Sequence, residues 1–250
     1  GIVDSDGNIL AMAGKQLFPE EGGIHPRIAA EHHAEWIPKL IPEAIDLLQS
    51  FSLNKIMAFR AGGYSFPNDK TFLNILRKCN INIDTSVLKE ASVESKYQTY
   101  NYSSIPSYSP YHFDENLCMD DVNGYFIEYP IATIKMMGYK YWLLKRNLTE
   151  RYNKLNGNMK FGDGGGIGLP GRKWSQLKNK IIRLITPSVI PATLDGVLSL
   201  YLDNVYSNHI QNSNHKAFVI IGHPKNLSVS SIGVFEDFIK SHKDLEFCLF

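Results

Sequence analysis

Cysteine is scarce: Cys79, Cys118 and Cys248 are odd in number, widely spaced, and contain no Cys-x-x-Cys pair. They therefore frame neither a disulfide scaffold nor a thiolate zinc site, and read as small buried hydrophobes. No apolar run approaches the roughly 18 residues of a membrane helix. The opening "GIVDSDGNIL" has neither the basic nor the apolar region of a signal peptide, so the chain as given reads as cytoplasmic and free of transmembrane segments. It reads as extracytoplasmic only if a leader has been removed. Charge of one sign is also lacking: 26 basic residues face 25 acidic ones. That balance argues against a phosphate-backbone binder, so no nucleic acid is expected as a partner.

What is present is a sizeable apolar fraction, 44% of 250 residues. Such a chain can bury roughly three quarters of its unfolded surface, and a single domain over residues 1–250 is the default. An amphipathic helix, Pro42 to Phe51, precedes a strand, Lys55 to Phe59. Asn68 can cap a second helix whose Phe72, Leu73, Leu76 and Cys79 recur at helical spacing, and a strand from Ile81 to Val87 follows. Strand, helix and strand within about 33 residues is the length of one parallel crossover unit.

Lys96 to Asn116, crowded with Tyr, Ser and Pro, reads as a long surface loop, and Gly124 to Ile134 as a strand. Lys160 to Trp174 is a glycine-rich loop around Asp163 that lacks the context of a nucleotide fingerprint. Helices are expected over Trp174 to Ile185, Thr193 to Tyr206, and Ser231 to about Lys240, with strands at Ala217 to Ile221 and in the closing "LEFCLF". Repeated parallel units point to an α/β barrel or open α/β sheet. In such folds the carboxyl ends of strands form the active face, which singles out Arg60 after "KIMAF" and His223 after "AFVIIG". A paired carboxylate for Arg60 and a turn cap for His223 are equally open readings.

"FRAGGYS", a helix, "IDTSV", an aromatic loop, "GYFIEYPIATI", "TLDGV" and "VIIGHPKNLS" occur in that order from about Phe59 onward. In this order they resemble the polysaccharide deacetylase family, whose NodB-like fold is a distorted (β/α) barrel. The resemblance implies a hydrolase that uses one divalent metal ion, zinc first among candidates, to remove an acetyl group from an N-acetylated sugar of a cell-surface polysaccharide or its precursor. Arg60 matches the arginine that orients the catalytic aspartate, a task suited to its rigid fork. His223 matches the histidine that protonates the departing amine. Asp84 would line the pocket, with a packing role as open. Tyr64, Tyr111 and Trp174 would offer flat faces to sugar rings, with core packing the alternative.

The N-terminal part supplies "IVDSDG" and "GGIHPRIAAEHHAEW". By the same resemblance Asp4 is the base and Asp6, His25 and His32 bind the metal, with His33 the alternative to His32. Asp plus two His leaves a position open for an activated water. An ordinary turn at Asp4 and Asp6 and solvated histidines are the competing readings. Two further readings are a carbohydrate-binding or polysaccharide-assembly protein that kept this barrel and lost the metal, and a glycoside hydrolase, which needs a carboxylate pair where the middle of the chain offers Glu128.

Overall fold

A computed structural model describes residues 2–3, 9–11, 26–94, 99–156, 182, 184–212 and 217–247. Strands β1 (Ile2–Val3) and β2 (Ile9–Ala11) pair antiparallel ahead of helix α1 (Pro26–Phe51). This helix runs well upstream of the expected start and contains Pro38 and Pro42, each of which withholds a backbone donor.

The next unit follows the expected crossover. Strand β3 (Ala58–Phe59) leads through a tight turn to α2 (Lys70–Lys78) and then β4 (Ile83–Asp84), parallel to β3. Helix α2 forms because Phe72, Leu73, Ile75 and Leu76 share one buried face and because Asp69 caps it, accepting from the Phe72 amide at 2.9 Å. Such a cap contributes about 1 kcal/mol. Arg77 and Lys78 in the last turn complement the helix dipole. Asn68, the residue expected as cap, instead holds the later loop, accepting from the Leu117 amide and donating to Asn116 Oδ1.

The Tyr-rich segment is more ordered than its composition suggests. Strands β5 (Ser92–Glu94) and β6 (Thr99–Asn101) form a hairpin, and β7 (Tyr111–Phe113) runs antiparallel to β8 (Phe126–Glu128). The cause is burial: Tyr102, Ile105, Tyr111 and Phe113 turn into the core. There Phe113 stacks on Phe126 at 5.1 Å, Phe66 meets Phe72 and Phe113 edge-on, and Leu73, Leu76 and Ile81 fill the remaining space. Ring pairs of this kind contribute about 0.5–1.5 kcal/mol beyond their burial.

Past β8 the single expected strand divides. Ile131 bridges Leu88 and Val219, and the chain then forms β9 (Thr133–Met137), antiparallel to β10 (Pro187–Pro191), with helix α3 (Gly138–Asn156) between them. Thr193 pairs with Ile221, so Thr193 to Asp195 continue the end of β10 and do not open a helix. A 3-10 turn (Gly196–Tyr201) precedes α4 (Leu202–Asn212), and α5 (Val229–Ser241) is capped by Ser228. Leu245 to Phe247 form no strand. The pairing thus passes from β3 through β4 and β8 to residues 219–221 and on to the end of β10, with β7 on the antiparallel edge.

A second core of Ala132, Ala192, Leu202, Val205 and Phe238 lies under these later segments. Beside it His209 is 1% exposed, its Nε2 2.7 Å from the Ala217 carbonyl and its Nδ1 buried without a hydrogen bond. Burial pushes its pKa below the ordinary 6.5. A lowered folded pKa means that the unfolded chain binds the proton more readily, so this contribution to stability is intact above pH 6.5 and fades as pH falls through the lowered value. The melting temperature should therefore drop as the pH falls below about 6.5. His209→Gln, which keeps a donor for Ala217 and cannot titrate, should flatten that slope in thermal scans; an unchanged slope would contradict the assignment.

Candidate active site

The parallel segments deliver their carboxyl ends to one polar cluster. Arg60 follows β3, and its Nε donates to Thr85 Oγ1 at 2.8 Å and to the Thr85 carbonyl at 3.1 Å. The neighbouring Ala61 amide donates to Ser86 Oγ at 2.7 Å, which in turn donates to Asp84 Oδ1 at 2.7 Å. The Ser86 amide reaches Asp84 Oδ2 at 3.1 Å, and the Val87 amide reaches Glu128 Oε1 at 3.0 Å. The turn after Arg60 is thereby tied to the end of β4, and the end of β4 to β8.

Asp84 and Glu128 sit opposite each other on adjacent parallel strands and are 1% and 0% exposed. Burial raises the pKa of both, and for Glu128 the nearby charge of Asp84 adds to the effect, placing it well above the usual carboxylate range. Desolvation lowers the Arg60 pKa, opposed by Tyr64, Asp84 and Glu128. Tyr64 lies close enough to Arg60 and Asp195 to feel both charges, while burial pushes its phenol pKa upward. Its backbone is left-handed, with φ of 61°, following Gly63 at φ 61°. For tyrosine this costs about 1–2 kcal/mol. Tyr102 offsets it by donating to the Tyr64 carbonyl at 2.5 Å.

The most chemically directed pair is Asp195 with His223. Asp195 Oδ1 accepts from the His223 amide at 2.7 Å and Oδ2 from the ring Nδ1 at 2.6 Å. Thr193 Oγ1 holds the Asp195 amide at 3.0 Å. The Asp195 side chain is 9% exposed and that of His223 is 53% exposed. An ionised Asp195 keeps the neutral ring proton on Nδ1, which leaves the Nε2 lone pair to accept a proton from a bound nucleophile.

Arg60, Tyr64, Asp84 and His223 are thus at or next to the strand ends. Tyr111 lies in the first core, 4% exposed, with its hydroxyl donating to the Leu117 carbonyl at 2.7 Å. Asp4, Asp6, His25 and Trp174 lie outside the described residues, as does the glycine-rich loop, and His32 falls within α1. Among the described residues no group of three His, Cys, Asp or Glu side chains is placed to hold a metal ion. Sequence reasoning missed Asp195 as a site residue. Its signal was an Asp-Gly directly after an apolar strand, masked because Thr193 resembled a helix cap.

No protein-family model matches the chain, and no solved structure matches it significantly. Curated proteins do match in part. A bifunctional tRNA threonylcarbamoyladenosine biosynthesis protein of Methanobrevibacter smithii is 89% identical over 46 residues, 18% of this chain and 9% of the relative. Its counterpart in Methanothermobacter thermautotrophicus is 43% identical over 89 residues, 35% of this chain and 17% of the relative. A tRNA N6-adenosine threonylcarbamoyltransferase of Ignicoccus hospitalis is 49% identical over 47 residues, 19% of this chain and 14% of the relative. The chain spans less than a fifth of the length of each.

These matches overturn the resemblance to polysaccharide deacetylases and, with it, the expected hydrolysis of a sugar acetamide, the carbohydrate partner and the inactive carbohydrate-binding alternative. They also overturn the exclusion of nucleic acid, since the relatives are named for work on tRNA. A net charge of +1 sums over the whole chain and does not report how basic groups are distributed locally. Arg60 and His223 stand more than 160 positions apart, so none of the three alignments, at 46, 89 and 47 residues, contains the whole cluster. Among the described residues no helix is long and apolar enough to cross a membrane.

Proposed function

We propose that the chain serves in the formation of N6-threonylcarbamoyladenosine in tRNA, as part of a transferase. The observation that carries this reading is the 89% identity over 46 residues to a protein named for that biosynthesis. A cytoplasmic place for the chain accords with it. In the transfer, adenine N6 attacks the carbamoyl carbon, a C–N bond forms, the bond to the leaving group breaks, and N6 gives up a proton. Nε2 of His223, held by Asp195, is suited to take that proton. Arg60 supplies positive charge on the same face for the oxygen that gains negative charge.

Binding of unmodified tRNA, followed by fluorescence anisotropy, tests the partner. With almost no net charge the chain should bind with a Kd of roughly 1–100 μM at low salt, weakening as salt rises. Absence of binding at low salt up to about 100 μM protein would count against the reading.

A further inference from the structure

We propose that Asp84 and Glu128 hold a single proton between them, with Glu128 as donor, and that the one negative charge left on the pair positions Arg60. Both side chains are sealed from solvent and lie in register on adjacent strands. Two unprotonated carboxylates there, with one guanidinium nearby, would leave an uncompensated buried charge, which proteins avoid by keeping a proton. The hydrogen bonds assign its place. Asp84 accepts from Ser86 through both oxygens, as an ionised carboxylate does, whereas Glu128 Oε1 accepts from Val87 and Oε2 is buried with no acceptor bond. A proton on Oε2 gives that atom a partner in Asp84, the residue directly across the strand pair.

The charge then acts through Ser86 and Thr85. Asp84 orders residues 84–86, whose Thr85 oxygens fix Arg60 Nε and whose Ser86 hydroxyl fixes the Ala61 amide. Other groups facing the pair are Arg60 and, from the core side, Tyr102 and Tyr111, whose burial keeps them protonated at neutral pH. Arg60 is the sole cation among them. This positioning role is independent of the tRNA reading, and its test needs no substrate.

Infrared spectroscopy of the whole chain at pH 7 should show the carbonyl stretch of a protonated carboxylic acid, because ordinary Asp and Glu are fully ionised there. The band should vanish in Glu128→Gln, which keeps a donor toward Asp84 and should stay folded. Absence of the band in the unaltered chain, or its persistence in Glu128→Gln, overturns the shared proton. Hydrogen exchange at Arg60 Nε–H, followed by NMR, should remain slow in Glu128→Gln and quicken about tenfold or more in Asp84→Asn. Unchanged exchange in Asp84→Asn, or quickened exchange in Glu128→Gln, overturns the positioning role.

Discussion

Gly124→Ala is expected to lower stability by about 3 kcal/mol or more, among the largest effects any single substitution should have in this chain. A Cβ at position 124 would stand 2.4 Å from the Phe113 carbonyl carbon, 2.5 Å from its oxygen and 2.8 Å from its Cα. All three are backbone atoms of β7, so no flexible side chain can move aside. Relief requires β7 and β8 to separate, which breaks the Phe113 to Phe126 register and the stacking of their rings. It also disturbs the bond that the Gly124 amide donates to the Asp121 carbonyl and the contact of His112 Nδ1 with the Gly124 carbonyl. In a chain of this size the loss corresponds to a fall in melting temperature of about 6–12 °C. Gly233→Ala is the control: it lies inside α5 with open space around it and should gain about 0.5–1 kcal/mol from helix propensity alone. Thermal unfolding of the two variants should therefore move in opposite directions; similar shifts would mean that the β7–β8 approach is looser than described.

The second large effect is on chemistry. Asp195→Ala removes both acceptors that hold His223, at 2.7 and 2.6 Å, and with them the fixed tautomer. If Nε2 takes the proton from the attacking amine, transfer should fall about 10²–10⁴-fold. His223→Ala should cost a similar factor with little change in melting temperature, because that side chain is 53% exposed. The double variant should be no worse than the poorer single one, since the two residues act as a unit. Full activity in both single variants would assign the pair to holding the turn before α5 and remove it from the chemistry.

Arg60 and His223 were legible because each follows an apolar strand run and the chain places them where parallel strands end. Helix α2 was legible for the same kind of reason, its buried residues recurring at helical spacing, although the cap proved to be Asp69 because Asn68 is engaged by Asn116 and Leu117 far along the chain. Glu128 and Asp84 were visible singly, but their pairing depends on the register of β4 with β8, which no local pattern encodes. Asp195 was hidden by a threonine whose hydroxyl bonds two residues onward in a turn as readily as it caps a helix. The hairpin β5–β6 and strand β7 were hidden because tyrosines and serines carry no alternation until the core they fill is known. The family resemblance failed for a related reason: polar residues at strand ends recur across many α/β enzymes, so short segments in a plausible order identify an arrangement and leave the chemistry open.

The most direct measurement of the central claim is nucleoside mass spectrometry of unmodified tRNA after incubation with the chain and an activated threonylcarbamoyl donor. A partner preparation lacking only the counterpart of this chain supplies the remainder of the longer relatives. The account predicts that N6-threonylcarbamoyladenosine accumulates when the chain is present and falls about 10²-fold or more with His223→Ala. No increase over the preparation without the chain, under conditions where a complete relative forms the product, would contradict it.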